Sequence, residues 1–107
     1  MSYNIVGKLA TSISRGTLNI DGDVDHTEAC MICTYHQTNV VMWNDKYIRL
    51  DTGYWFTPTT KNRMNQVSNQ YGLGYSVYQA KGEWCVDYNG VTQQFVGSVV
   101  VITRKEN

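Results

Sequence analysis

The sequence predicts an α+β fold: one domain in which an antiparallel β-sheet of five to seven strands carries a single central α-helix over residues 58–71. Three observations lead there. At 107 residues the chain has room for one core and little more. Asn89-Gly90, flanked by alternating apolar and polar positions, is a two-residue hairpin signal, because both central positions of a type I′ turn need positive φ. The segment from Pro58 to Gly72 has a helix start, a helix stop and apolar residues at helical spacing between them.

Along the chain, residues 1–9 and 16–20 read as edge strands and residues 21–28 as a polar, acidic loop. Residues 29–35 form a strand, and residues 38–43 and 46–50 form a hairpin turning at Asn44-Asp45. In the helix, Pro58 suits the first turn, where its missing N–H would have no intrahelical partner; Thr57 or Thr59 caps it and Gly72 ends it. Its opening stretch, "TPTTKNRMNQ", has one apolar side chain in ten. Met64, Val67 and Tyr71, spaced i, i+3, i+7, make one narrow stripe that can lie on a sheet. A helix this short is marginal in water, so packing of that stripe must hold it. The other side chains, among them Lys61, Arg63, Asn65, Gln66 and Ser68, are expected to face outward or sideways.

Residues 75–79 then join through Lys81-Gly82 to the Asn89-Gly90 hairpin. Placing that turn pairs Tyr88 with Val91, Val86 with Gln93 and Trp84 with Phe95. One face collects Trp84, Val86, Tyr88, Val91 and Phe95; the other collects Asp87, Thr92 and Gln94. Residues 99–103, after a Gly97-Ser98 break, extend this to a meander of up to four strands.

Nine basic residues balance nine acidic ones, so the whole molecule has no general attraction for nucleic acid or an anionic membrane. An apolar run such as residues 99–102 is far too short to span a bilayer, and no charged, greasy leader opens the chain. Three cysteines, an odd number, fit a reducing compartment better than a disulfide framework. A soluble, cytoplasmic protein without membrane contact is expected. Eight tyrosines and three tryptophans supply wide, half-polar rings that suit sheet faces and interfaces alike.

Four constellations carry some chemistry. The helix start, with free N–H groups beside Thr59, Thr60, Lys61 and Arg63, can receive a phosphate or carboxylate, although no Gly-rich loop precedes it. A His-x-Thr pair on two strands can serve as acid and base in phosphodiester chemistry. His36-Gln37-Thr38 has that spacing, whereas His26-Thr27-Glu28 does not. Cys30, Cys33, His36 and Cys85 include ligand types for zinc, but residues three apart on a strand point to opposite faces, which favours buried thiols. Asp21, Asp23 and Asp25 resemble the start of a calcium loop that lacks its glycine and closing glutamate. No metal or cofactor is expected, and no nucleophile elbow is present.

At "IRLDTGYWFTPTTKNRMNQVSNQYGLGYSVYQAKGEWCVDYNG" the chain resembles a group of small bacteriophage proteins of unknown function. The shared features are a strand ending in a Gly-aromatic turn, Thr-rich residues, a Lys-x-Arg helix start, Met-Asn-Gln and a Gln-x-x-x-x-Trp hairpin. The matching positions are Leu50, Gly53, Trp55, Thr57, Thr59, Thr60, Lys61, Arg63, Asn65, Gln66, Gln79 and Trp84. The likeness runs over residues 35–90, with "YHQTNVV" at its start; members more often carry a second glycine where this chain has Tyr54. What the resemblance implies is a phage origin, and small phage proteins without enzyme motifs frequently act by stoichiometric binding to a host machine.

The resulting expectation is a non-enzymatic binding protein that inhibits or remodels a host protein complex, with antiviral defence, CRISPR-type or other, as one candidate. Its contact surface combines Lys61, Arg63, Asn65 and Gln66 with Tyr54 and Trp55, bordered by Thr59, Thr60 and His36. The alternatives are a nucleic-acid or nucleotide-phosphate binding module and a phosphodiesterase-like enzyme centred on His36 and Thr38. Exposed rings also allow a homodimer.

Overall fold

The computed structural model describes residues 12–18 and 28–104. Among them are eight strands: β1 (Ile13–Leu18), β2 (Glu28–Tyr35), β3 (Thr38–Trp43), β4 (Tyr47–Asp51), β5 (Tyr75–Ala80), β6 (Glu83–Tyr88), β7 (Val91–Gln94) and β8 (Val99–Thr103). One helix, α1 (Pro58–Tyr71), lies between β4 and β5. The strands form two antiparallel sheets, ordered β1-β2-β3-β4-β8 and β5-β6-β7, rather than one. The expected strand over residues 1–9 and nearly all of the acidic loop lie outside the described residues.

Three two-residue turns close hairpins with both residues at positive φ: His36-Gln37, Lys81-Gly82 and Asn89-Gly90. Asn-Gly suits that geometry; His36 and Gln37, at φ 51° and 66°, adopt it at a steric cost of roughly 1–2 kcal/mol each. On β3 a β-bulge resolves a conflict of periodicity. Cys33 faces Val41 but Thr34 faces Asn39, so Val40 is an extra residue. The bulge flips the parity of the strand, and Val40 and Val41 are both buried, which strict alternation would forbid.

The helix has its predicted bounds. Thr57 is the N-cap, its Oγ1 accepting from the Thr60 N–H at 3.3 Å, and Gly72 terminates it in the left-handed conformation. Met64 and Val67 are fully buried, while Tyr71 is partly exposed with its ring 5.0 Å from that of Trp43. The polar residues do not all face outward as expected. Thr60, Gln66 and Ser68 are buried too. The Asn65 side-chain amide donates to Val77 O at 3.0 Å and accepts from Val77 N at 2.8 Å. Ser68 Oγ donates to Tyr75 O at 2.7 Å and accepts from Tyr75 N at 3.0 Å. These two side chains, at i and i+3, thus do the work of a neighbouring strand along the open edge of β5. Amides on the helix are needed because the sheet edge demands donors and acceptors.

The Asn89-Gly90 hairpin has the predicted register, with Tyr88 opposite Val91 and Val86 opposite Gln93, and Phe95 N–H donating to Trp84 O. Trp84 and Val86 enter the core; Val91, near the hairpin tip, is exposed instead of buried. β8 does not extend this meander. It leaves to pair with β4, because there Val100 and Ile102 reach the core beside Ile48 and Leu50. One hydrophobic cluster therefore joins both sheets and the helix, and it also contains Trp43, Leu73 and Tyr75.

Candidate binding face

Between β4 and the helix the chain runs Thr52-Gly53-Tyr54-Trp55-Phe56, and its three consecutive rings are all exposed. Backbone bonds pin the link. Thr52 is buried, its N–H donating to Ser98 O at 2.8 Å and its carbonyl accepting from Trp55 N–H at 2.9 Å. Its hydroxyl accepts from Tyr54 N–H at 3.1 Å, and Asp51 Oδ1 accepts from Gly53 N–H at 2.8 Å. Gly53 sits against Thr38, where a Cβ would come within 2.6 Å of Oγ1. Tyr54 has φ 65°, a left-handed conformation that glycine adopts without strain.

The consequence is a rigid, exposed aromatic ridge. Tyr54, Trp55 and Phe56 are 72%, 53% and 45% exposed. Phe56 stands edge-on to Trp84 at 5.4 Å, Trp84 stands edge-on to Phe95 at 5.9 Å, and Tyr54 meets Phe56 at 6.2 Å. A cavity of about 360 Å³ opens among Phe56, Glu83, Trp84, Phe95 and Gly97. On the other flank the His36 ring lies 6.1 Å from Trp55 and 4.2 Å from Tyr35.

The two predicted cations reach opposite sheets. Lys61 Nζ stands 5.4 Å from the centre of the Trp84 ring on β6, and the Arg63 guanidinium 5.5 Å from that of Tyr35 on β2. Arg63 also donates to Gln66 Oε1 at 3.4 Å. Both are half-buried, so each ammonium or guanidinium covers a ring while keeping some contact with water. Thr59 is exposed at the helix start, but the Thr60 hydroxyl is buried 3.1 Å from that of Thr57.

The structure thus brings Tyr54, Trp55 and His36 together and flanks them with Lys61 and Arg63. It turns Asn65 towards β5 and buries Gln66. Sequence reasoning missed Phe56 and Phe95, although the run Tyr54-Trp55-Phe56 was the signal for the former. The contribution of Phe95 depends on the fold that carries it to Trp84.

Among the described residues no group of three His, Cys, Asp or Glu side chains is placed to hold a metal. Cys30, Cys33 and Cys85 are buried thiols not joined in disulfides, and burial raises the pKa of Cys30 and Cys33 above the usual thiol value. His36 has aromatic neighbours, and its counterpart in the His-x-Thr comparison, His26, lies outside the described residues. A further cavity of about 400 Å³, lined by residues including Arg15, Cys30, Trp43, Tyr71 and Arg104, lies apart from the ring ridge and contains Cys30 of the cysteine–histidine set. No helix among the described residues is long and apolar enough to cross a membrane.

These features define a small α+β domain whose exposed chemistry is a ring-rich, cation-flanked ridge. Residues 8–101 match the family described as the Kyanoviridae Gp96 protein, and the chain belongs to that phage protein family. No curated protein and no solved structure matches it.

Proposed function

We propose that this phage protein works without catalysis, by stoichiometric binding to a host protein complex that it inhibits or remodels inside the infected cell. One target of this kind is a component of antiviral defence, CRISPR-type or other. The observation that carries this reading is the exposure of Tyr54, Trp55 and Phe56 on a link whose backbone is pinned at four points. Rings held rigidly before binding lose little entropy on contact, and aromatic residues supply the strongest contacts of protein interfaces. Lys61 and Arg63 fit the rim of such a contact, where charges guide orientation more than they add affinity.

The test is capture from host lysate by wild-type protein and by a Tyr54→Ala, Trp55→Ala, Phe56→Ala triple variant. The expected result is a protein partner held in equal stoichiometry by the wild type and released by the variant. Retention by a folded variant, or no partner for a folded wild type, overturns the reading.

Exposed Trp55 beside His36 also supports a second reading, a nucleic-acid or nucleotide-phosphate module in which a base stacks on the rings. Salt separates the two: phosphate binding through the two cations Lys61 and Arg63 weakens about tenfold between about 50 and 200 mM salt, whereas a ring-dominated protein contact changes little.

A further inference from the structure

One corner of the five-stranded sheet faces the helix side without being covered by the helix. Arg15, Met31 and Trp43 are direct cross-strand partners on β1, β2 and β3, so their side chains stand in one row on the same face. Trp43 lies in the core and Met31 packs against it, which marks that face as the inner one. Two positions from Met31 along β2, Ala29 shares this face, yet it is exposed. The helix explains why. It ends at Tyr71, whose ring lies 5.0 Å from that of Trp43, and goes no further across the sheet. What remains is the cavity of about 400 Å³ noted above.

Arg104 reaches the same corner from the far side of the sheet. It follows β8, where Ile102 is buried, and alternation sends its side chain to the inner face as well. Its N–H donates to Lys46 O, and its guanidinium Nη1 donates to Asn44 O at 2.7 Å, one residue past Trp43. Asn44 Oδ1 in turn accepts from the N–H groups of Lys46 and Tyr47 at 2.8 and 2.9 Å, which fixes the turn that holds Arg104. β1 and β3 are two strand spacings apart, about 10 Å. Arg15 and Arg104 therefore stand on opposite banks of a space that a small molecule can bridge.

The charge at this corner is unbalanced. Neither arginine forms a salt bridge among the described residues, and nearby Lys46 is paired with Glu28 at 3.5 Å. Asp45 is the sole acid among the described residues lining the cavity, so two guanidiniums face one carboxylate. Beside them Tyr71 is 39% exposed and is backed by Trp43, at 6%. Guanidinium forks match the oxygens of a phosphate or carboxylate, and an accessible ring takes a flat apolar body.

We infer that this corner binds a small planar organic anion, a flat ring bearing a phosphate or a carboxylate. The ring lies on Tyr71 and the anionic group lies between Arg15 and Arg104. That orientation follows from the helix, whose C-terminal carbonyls at Tyr71 repel an anion and leave it to the arginines. The volume is that of a small-molecule site, which runs from about 300 to 1,000 Å³. This site is separate from the ring ridge and does not rest on it.

The test titrates the full chain with adenosine monophosphate and with naphthoate while the NMR signals of the Tyr71 and Trp43 side chains are followed. Adenosine and inorganic phosphate are the controls, each carrying one half of the required chemistry. The expected result is that at least one of the two anions shifts Tyr71 and Trp43, leaves Trp55 and Trp84 in place, and binds about tenfold tighter than either control. Which anion does so tells phosphate from carboxylate. Arg15→Gln, at an exposed edge-strand position, weakens binding about tenfold, and Ala29→Leu, which fills the cavity, abolishes it. Both variants keep Tyr54, Trp55 and Phe56, so capture of a protein partner by the ridge is scored independently. The inference is overturned by unshifted Tyr71 and Trp43 signals with both anions at millimolar concentration, by equal binding of adenosine, or by undiminished affinity in Arg15→Gln. Binding that appears only in an Asp21→Asn, Asp23→Asn, Asp25→Asn variant overturns it too, because the chain's own acidic residues would then be the occupant.

Discussion

Asn65 and Val77 pair as two strands would: one side-chain amide satisfies both the N–H and the C=O of a single edge residue, at 2.8 and 3.0 Å. A helix whose surface is nearly all polar is thereby fixed to a sheet by hydrogen bonds as well as by Met64 and Val67. Asn65→Ala removes both bonds and leaves the backbone groups of buried Val77 uncovered, and the expected loss is about 2 kcal/mol. Urea unfolding measures it. A loss below about 0.5 kcal/mol, the scale of an ordinary surface substitution, would show that water replaces the amide at no cost.

Tyr54 holds a left-handed backbone that suits glycine. Tyr54→Gly is therefore expected to be more stable than Tyr54→Ala by about 1 kcal/mol, the reverse of the usual order, in which glycine loses more chain entropy. Thermal unfolding of the two variants decides the sign.

Gly53 is the opposite case, where strain and crowding act together. An added Cβ would lie 2.6 Å from Thr38 Oγ1 and 2.8 Å from its Cγ2, at φ +60°. Gly53→Ala is expected to destabilise by about 2 kcal/mol or more. It is also expected to disturb the Tyr54–Phe56 ridge, read as a change in tryptophan fluorescence from Trp55.

Tyr75 links stability to pH. Its hydroxyl donates to Met64 O, and full burial, with a smaller contribution from Cys33, pushes the phenol well above its usual range. The folded state keeps a proton that the unfolded chain releases, so this stabilisation is complete below the unfolded value, about 10, and falls as pH rises beyond it. The raised thiols of Cys30 and Cys33 act in the same direction from about pH 8.5 upward. Stability is expected to decline by up to about 1.4 kcal/mol per pH unit for each such group. Tyr75→Phe loses the bond to Met64 O and flattens the alkaline limb above pH ~10. An unchanged limb in that variant would remove Tyr75 as its cause.

Much of this protein was legible because the relevant signals are local. Pro58, Thr57 and Gly72 bound the helix through backbone chemistry within a few residues, and Asn89-Gly90 set the register of β6 and β7 because its turn geometry leaves little choice. Ring exposure at residues 54–56 was half legible: Tyr54 and Trp55 were singled out, and the third ring of the same run was not. Tertiary structure alone decided the rest. Periodicity identified residues 99–103 as a strand but not its partner, which was chosen by where Val100 and Ile102 could be buried. The extra residue at Val40 shows itself only against the register of β2. Asn65 reads in sequence as a solvent-facing amide, and it becomes a sheet partner because the fold brings an open strand edge twelve positions along the chain within hydrogen-bond reach. Caps and turns are settled between near neighbours; which edge, face or core a residue meets depends on burying distant surface, and that energy is defined only once the whole chain is in place.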